Sequence, residues 1–310
     1  MKWNEQRYHS LAYELKTTYR RQLYRLSLDG GMWCPNRTDT SSGCIFCSAS
    51  GSGDYTPSPY QSMDAQFLAA RARLGAKDPG PPYIAYFQAY SNTYAPLDKL
   101  KELYDSVIHR PDVAILSIAT RPDCLSTEII DYLGELNQIK PVWIELGLQT
   151  IHEKTHSFLQ TEFKMKPFLH VLSELNHHQI TVIAHVILGL PFETYYDNIE
   201  TMDFIAAHSI QGVKIHMLYI QQHTELANYY RQHPFSLFTQ EEYTTCVCDC
   251  LEHLRPDQVI HRLTGDCDRN ELVAPIWTLS KRQTLNQIHQ ILTIRDSFQG
   301  KNRKVIKNDN

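Results

Sequence analysis

The sequence predicts an α/β protein, a partial TIM-type (β/α)6 barrel over residues 23–222 with small extensions at 1–22 and 223–310. Three observations predict it. Apolar runs rich in β-branched and aromatic residues alternate with helix-periodic segments, the pattern of parallel strands joined by crossover helices. The 310 residues, 42% of them hydrophobic, bury one full-sized core and suit a single barrel-like domain better than two packed units. No repeat of fixed period and no low-complexity tract interrupts the alternation.

Six runs read as strands: 23–28, 83–88, 113–119, 142–148, 181–188 and 212–219, with 259–263 a weaker seventh. Helical periodicity covers 61–74, 97–109, 127–137, 167–178 and 195–208. Ser126 is placed to cap the third of these helices. Thr239, followed three residues on by Glu242, has the form of a capping box for a helix running to about Leu254. The tail 301–310 is polar and expected to fray.

Net charge is only −4, so any nucleic acid must be held by local patches rather than by the global field. Such stretches exist at both ends. Lys16, Arg20, Arg21 and Arg25 interleave with Tyr19 and Tyr24, and Lys301, Arg303, Lys304 and Lys307 cluster near residue 310. Basic residues of this kind grip phosphates while aromatics stack on unpaired bases, though solvated surfaces carry them too. No apolar run approaches the roughly 20 residues that span a bilayer, and the opening residues lack a signal peptide's apolar stretch, so a cytoplasmic location is expected.

Eight cysteines in such a chain point to metal ligation, catalysis or packing rather than to disulfides. Cys34, Cys44 and Cys47 fall in one Gly/Ser/Pro/Asn-rich stretch, where Gly43 and Gly51 relax the backbone. This stretch follows the first strand and precedes the first long helix, so in a barrel it lies at the C-terminal end of the strands, where barrel enzymes keep their chemistry. Three thiolates can wrap a 4Fe-4S cluster and leave one iron open for a further ligand. The competing reading is a structural zinc site in a non-catalytic metal-binding module, which needs a fourth Cys or His. Cys246, Cys248 and Cys250 lie on an expected helix, with 246 and 250 on one side and 248 opposite, and read as packing residues. Cys124 and Cys267 stand alone.

These motifs resemble the radical S-adenosylmethionine (SAM) superfamily, and within it the YhcC/YtqA-type group of the branch that includes the Elongator catalytic subunit, whose cysteines are spaced nine and two. The resemblance is carried by Asp29-Gly-Gly-Met-Trp-Cys-Pro-Asn-Arg37, the run from Cys44 to Asp54, and Ala85-Tyr-Phe-Gln-Ala-Tyr90. It continues through Ile118-Ala-Thr-Arg-Pro-Asp-Cys124, Trp143-Ile-Glu-Leu-Gly-Leu-Gln-Thr150, Gly189-Leu-Pro191 and Val213-Lys-Ile-His216. It implies a 4Fe-4S cluster on Cys34, Cys44 and Cys47 whose open iron takes the amino and carboxylate groups of SAM. Reduction then yields a 5′-deoxyadenosyl radical that abstracts hydrogen from an unactivated C–H bond. An electron donor such as flavodoxin or ferredoxin is implied as a partner.

By the same resemblance Phe46 sits where an aromatic helps hold the adenine, with a core aromatic as the alternative. Strand two ends at Gln88, Ala89 and Tyr90, where relatives use a Gly-Gly-Glu turn for the SAM amino group. With neither Gly nor Glu here, backbone contacts at Gln88 and Tyr90 are the expectation. Gln149 matches a ribose-binding position, and its amide both donates and accepts. Gly189 would admit the adenine to the backbone, and His185 is either a ligand-side or a buried structural histidine. Thr120 follows strand three at the pocket mouth.

Arg121 is read as a clamp for carboxylate or phosphate, or as one half of an Arg–Asp brace with Asp123. Lys214 and His216 alternate with Ile215 and so share a face, available to substrate or to a salt bridge with Glu145. Arg121, Lys214 and His216 are the candidate catalytic residues, and His261, Arg262, Thr264, Gly265 and Asp266 a candidate substrate loop. The resemblance implies tRNA as the substrate, with conversion of a carboxymethylaminomethyl group on C5 of the wobble uridine to aminomethyl. Radical chemistry on a protein or small metabolite is the alternative.

Overall fold

The computed structural model describes residues 3–51, 53 and 56–303. Ser52 and Asp54 of the cysteine run, and Lys304 and Lys307 of the basic tail, therefore lie outside the described residues.

All seven expected strands form, as β1 (Arg25–Leu28), β2 (Tyr83–Phe87), β3 (Val113–Thr120), β4 (Val142–Gln149), β5 (Thr181–Leu188), β6 (Gly212–Met217) and β7 (Val259–Arg262). They join one sheet in the order β1-β2-β3-β4-β5-β6-β7. Each strand neighbours its predecessor, which is the winding of TIM-type sheets rather than of doubly wound ones. The ladders β1–β2, β2–β3, β3–β4 and β6–β7 are parallel. The weak seventh run is thus a full member, and the sheet has one strand more than the six of the expected core.

The chain divides into two compact units. One comprises Leu15–Gly147 and Lys164–Ile183, the other Leu148–Phe163 and the described residues of Met1–Glu14 and Ala184–Asn310. Two of the four boundaries fall inside β4 and β5.

In the first unit β2 is buried along its whole length, as expected of a strand covered on both faces. Its helices are α2 (Met63–Ala72), α3 (Leu97–Ile108), α4 (Thr127–Ile139) and α6 (Met165–His177), while α1 (Leu11–Tyr19) begins in the other unit. Helix α3 buries Leu100, Tyr104, Val107 and Ile108, a spacing that draws one stripe down the helix. Each such side chain contributes about 1.5–3 kcal/mol. Ser126 caps α4 as expected, accepting from the Ile129 N–H at 3.4 Å. The second unit carries α5 (Glu153–Leu159), α7 (Tyr195–Ala207), α8 (Glu225–Gln232), α9 (Gln240–His253) and α10 (Lys281–Ile294). Thr239 and Glu242 form the expected capping box on α9. Thr194 and Asp197 form a second one on α7. Residues 9 and 10 lie along β7, with the Ile260 N–H donating to the His9 carbonyl at 2.7 Å. No helix among the described residues is long and apolar enough to cross a membrane.

Candidate metal centre and cofactor site

The three cysteines occupy one loop of the first unit, none of them in a disulfide and all half-buried. The nine-residue interval between Cys34 and Cys44 contains a minute antiparallel hairpin, Arg37–Thr38 against Ser41–Ser42, which takes up the extra length and turns the chain back on itself. The Cys47 N–H donates to the Cys44 carbonyl at 2.9 Å, so the last two cysteines flank a tight turn. Arg37 knits the ends of the loop together. Its own N–H donates to the Cys34 carbonyl at 3.0 Å, and its guanidinium donates to the carbonyls of Ala49 at 3.2 Å, of Cys47 at 3.5 Å and of Ser48.

Tyr90 bolts this loop to the end of β2. Its hydroxyl donates to the Ala49 carbonyl at 2.6 Å and its N–H to the Gly51 carbonyl at 2.9 Å, while Arg37 lies over its ring at 5.3 Å and Trp33 packs at 4.9 Å. Gly51 is required here, because a Cβ would fall 2.3 Å from the Tyr90 ring and its φ is +57°. The Tyr90 side chain thus serves the loop. Gln88 is half-buried and accepts from Ser27 Oγ at 3.2 Å. Ile45 is the buried apolar anchor of the loop, which leaves neighbouring Phe46 half-exposed rather than in the core.

The strand-three residues divide. Thr120 is buried and shares a 2.6 Å hydrogen bond with Thr93, which also donates to the Cys124 carbonyl at 2.7 Å, so its hydroxyl is committed within the loop. Arg121 makes the brace: Nε and Nη2 each donate to an Asp123 oxygen at 2.8 Å, and Nη1 lies 4.0 Å from Cys44 Sγ. The bidentate face that a substrate clamp needs is filled by Asp123. Burial lowers the guanidinium pKa, but the bond and charge of Asp123 and the thiolates of Cys44 and Cys34 more than offset this, so it stays charged. Glu145 is wholly buried, bonded by Ser117 Oγ at 2.8 Å and approached by Arg25 at 3.6 Å.

In the second unit, Gln149 ends β4 with φ +62°, a turn of the backbone into the left-handed region as the strand stops. His185 and His216 face one another, ring centroids 5.6 Å apart, and Lys214 on the same face of β6 is 2% exposed. Gly189 is half-buried with φ +80°, and a Cβ there would meet the Phe238 ring at 2.9 Å. A close approach by the chain's own Phe238 therefore already accounts for this glycine. The candidate substrate loop is tied by Arg262 to Asp266 at 3.1 Å and by Lys281 to Asp266 at 2.8 Å. Cys246 and Cys250 lie 4.0 Å apart, with Cys248 directed to the Ile288 carbonyl, all three buried. They pack as the helix periodicity implied.

The family model of the Radical SAM superfamily matches residues 31–205, more than half of the chain, and that of the Radical_SAM C-terminal domain matches 210–293. The chain is a member of the radical SAM superfamily. Among curated proteins it is 39% identical over 299 residues to the uncharacterized YtqA of Bacillus subtilis, covering 96% of this chain and 93% of that one. It is 30% identical over 267 residues to YhcC of Escherichia coli, covering 85% of each. The fold resembles the archaeal Methanocaldococcus infernus Elp3, with a TM-score of 0.64 at 16% identity over 76% of this chain and 59% of that one. It also resembles methylornithine synthase PylB, with a TM-score of 0.52 at 11% identity over 92% and 85%. The α/β class and partial TIM-type fold stand on these likenesses.

The cofactors of this radical SAM enzyme are a 4Fe-4S cluster and SAM. The donor set fits. Among the described residues, the group whose ligand atoms all lie within 4.8 Å of one another is His152, Asp197 and Glu200, and the loop cysteines do not form such a group, as closure on a single zinc ion would require. Burial first, and then the charge of Cys47, pushes the Cys44 thiol up to about 11, against the opposing pull of Arg121 and Asn36. A thiolate there needs a cationic partner, which iron supplies. Two supports escaped the sequence reading. Arg37 lies inside the quoted motif but carries no metal-ligand signature, and Asn36 donates to Cys44 Sγ at 3.4 Å from within the same motif.

Proposed function

We propose that this radical SAM enzyme acts in the cytosol on tRNA, converting the carboxymethylaminomethyl group on C5 of the wobble uridine to aminomethyl, with a flavodoxin or ferredoxin as electron donor. When bound, the cluster and SAM would supply a two-electron oxidation of the carboxymethyl arm, one hydrogen atom passing to the 5′-deoxyadenosyl radical and one electron returning to the cluster, after which water cleaves the resulting imine to glyoxylate and the aminomethyl group. The nine-and-two cysteine spacing, shared with the Elongator-like branch, supports the substrate class.

The observation that carries the reading is the buried Lys214, which shares a face of β6 with His216, whose ring faces that of His185. A buried cation suits a carboxylate on the substrate, because the low dielectric strengthens their attraction. In this reading Lys214 holds the carboxylate, His216 and His185 move or hold a proton, and Gln149, Phe46 and the backbone at Gln88 contact SAM. Support from the basic N-terminal stretch is narrower than its sequence implies. Arg21 donates to the carbonyls of Pro79, Gly80 and Pro81, and Arg25 lies beside Glu145.

Comparison of wobble-uridine nucleosides from cells with and without the gene tests the substrate, and identical profiles would reject it in favour of a protein or small metabolite. Anaerobic reconstitution with iron, sulfide and dithionite tests the chemistry. The wild-type chain is expected to yield 5′-deoxyadenosine from SAM, and Cys44→Ala none.

A further inference from the structure

Cys44 sits in an electrostatic setting of its own. Asn36 Nδ2 donates toward its sulfur at 3.4 Å, and Arg121 Nη1 reaches the same atom from 77 residues away at 4.0 Å. Asp123 grips Arg121 through Nε and Nη2, both at 2.8 Å, and so fixes the remaining edge of the guanidinium toward the sulfur. The Arg121 side chain is 15% exposed, so its charge is only weakly screened.

A cluster gains a negative charge on reduction, and positive charge or N–H donors at its sulfurs favour that state. We propose that Arg121 and Asn36 raise the reduction potential of the iron–sulfur cluster through the Cys44 sulfur, with Asp123 as the counter-charge that aims and tempers Arg121. Arg121 is then a positioning residue for electron entry, not a clamp for substrate. The assignment is independent of what the enzyme modifies.

The sign of each effect follows. Removing the guanidinium disfavours reduction, removing the amide donor does so less, and neutralising Asp123 favours it by leaving Arg121 unbalanced. The Asp123 effect runs opposite to that of merely loosening the loop.

The test is potentiometric titration of the reconstituted full-length enzyme, followed by the electron paramagnetic resonance of the reduced cluster, with iron and sulfide measured in every variant. In Arg121→Gln the reduced-to-oxidised ratio at fixed potential is expected to fall about tenfold, about 59 mV for a one-electron couple. Arg121→Lys is expected to restore part of it, Asn36→Ala to fall less than Arg121→Gln, and Asp123→Asn to rise. Full clusters with an unchanged ratio in Arg121→Gln and Asn36→Ala would overturn the proposal, as would a fall in Asp123→Asn. Loss of the cluster from both Arg121→Gln and Asn36→Ala would also overturn it, by making the two residues props of the loop.

Discussion

Arg37 holds the cysteine loop by four hydrogen bonds to main-chain carbonyls, one from its own N–H to Cys34 and three from its guanidinium to Cys47, Ser48 and Ala49. Arg37→Ala is expected to lose most bound iron after reconstitution while keeping the wild-type far-UV circular dichroism. Wild-type iron content would show that the hairpin alone shapes the loop. His156 makes a second prediction. Its ring donates or accepts at Thr161 Oγ1, 2.6 Å, and at the Thr150 carbonyl, 2.8 Å, and stacks on Phe163. Burial holds its pKa down at about 4, so the folded state keeps it neutral where the unfolded chain protonates near 6.5. Stability is therefore expected to fall as pH drops from about 6.5 to about 4, by on the order of 3 kcal/mol at most, and to level off below. Urea midpoints across that range should show the slope in the wild type and a flatter one in His156→Asn. At this scale the sequence told much but not all. That Cys34, Cys44 and Cys47 share one loop was legible from spacing. The pairing of Arg121 with Asp123 stood open beside a substrate role, and its reach to Cys44 was out of sight because it joins the ends of different strands.

Among elements, the two caps read from the sequence, Ser126 and Thr239, both form, since each is a local exchange of side chain for backbone, while the Thr194–Asp197 box on α7 went unread. Thr239→Ala removes one half of the α9 box, in which Glu242 accepts from both the Thr239 N–H and its hydroxyl. A loss of about 1 kcal/mol in denaturant unfolding is expected. A value near zero would mean that α9 is held by its buried face alone. The hairpin inside the cysteine loop escaped notice because two-residue strands have no alternation to read. Helix α10 escaped for another reason. Its buried positions Thr284, Ile288 and Leu292 follow a helical period, but Gln, Asn and His fill the rest and dilute the apolar signal. Helices α5 and α8 are seven and eight residues long, too short for periodicity to emerge.

At the scale of the molecule, alternation of strand and helix was enough to place all seven strands of the sheet, four of the six main ones matching the expected bounds within one residue at both ends and the exceptions being the start of β1 and the end of β6. The membership of β7 was not readable from its own four residues, since it depends on pairing with Gly212, Val213 and Lys214 of β6. The core that holds these strands is apolar, with Leu28, Phe87, Ile118, Ile144 and Val213 buried along them. Chelation of the cluster is therefore expected to abolish visible absorption and 5′-deoxyadenosine formation while leaving far-UV circular dichroism and cooperative unfolding in place. Collapse of the spectrum would make the cluster a structural requirement.

The lining of β7 by residues 9 and 10, together with the bonds of Arg7 and His9 to Ser297 and Gln299, has a consequence in time. A ribosome makes residue 9 some 250 residues before Ile260, which at roughly 5–20 residues per second leaves it waiting for tens of seconds. The unit to which both belong cannot close while its later segments are still being synthesised, so its assembly must wait long after its own first residues have left the ribosome.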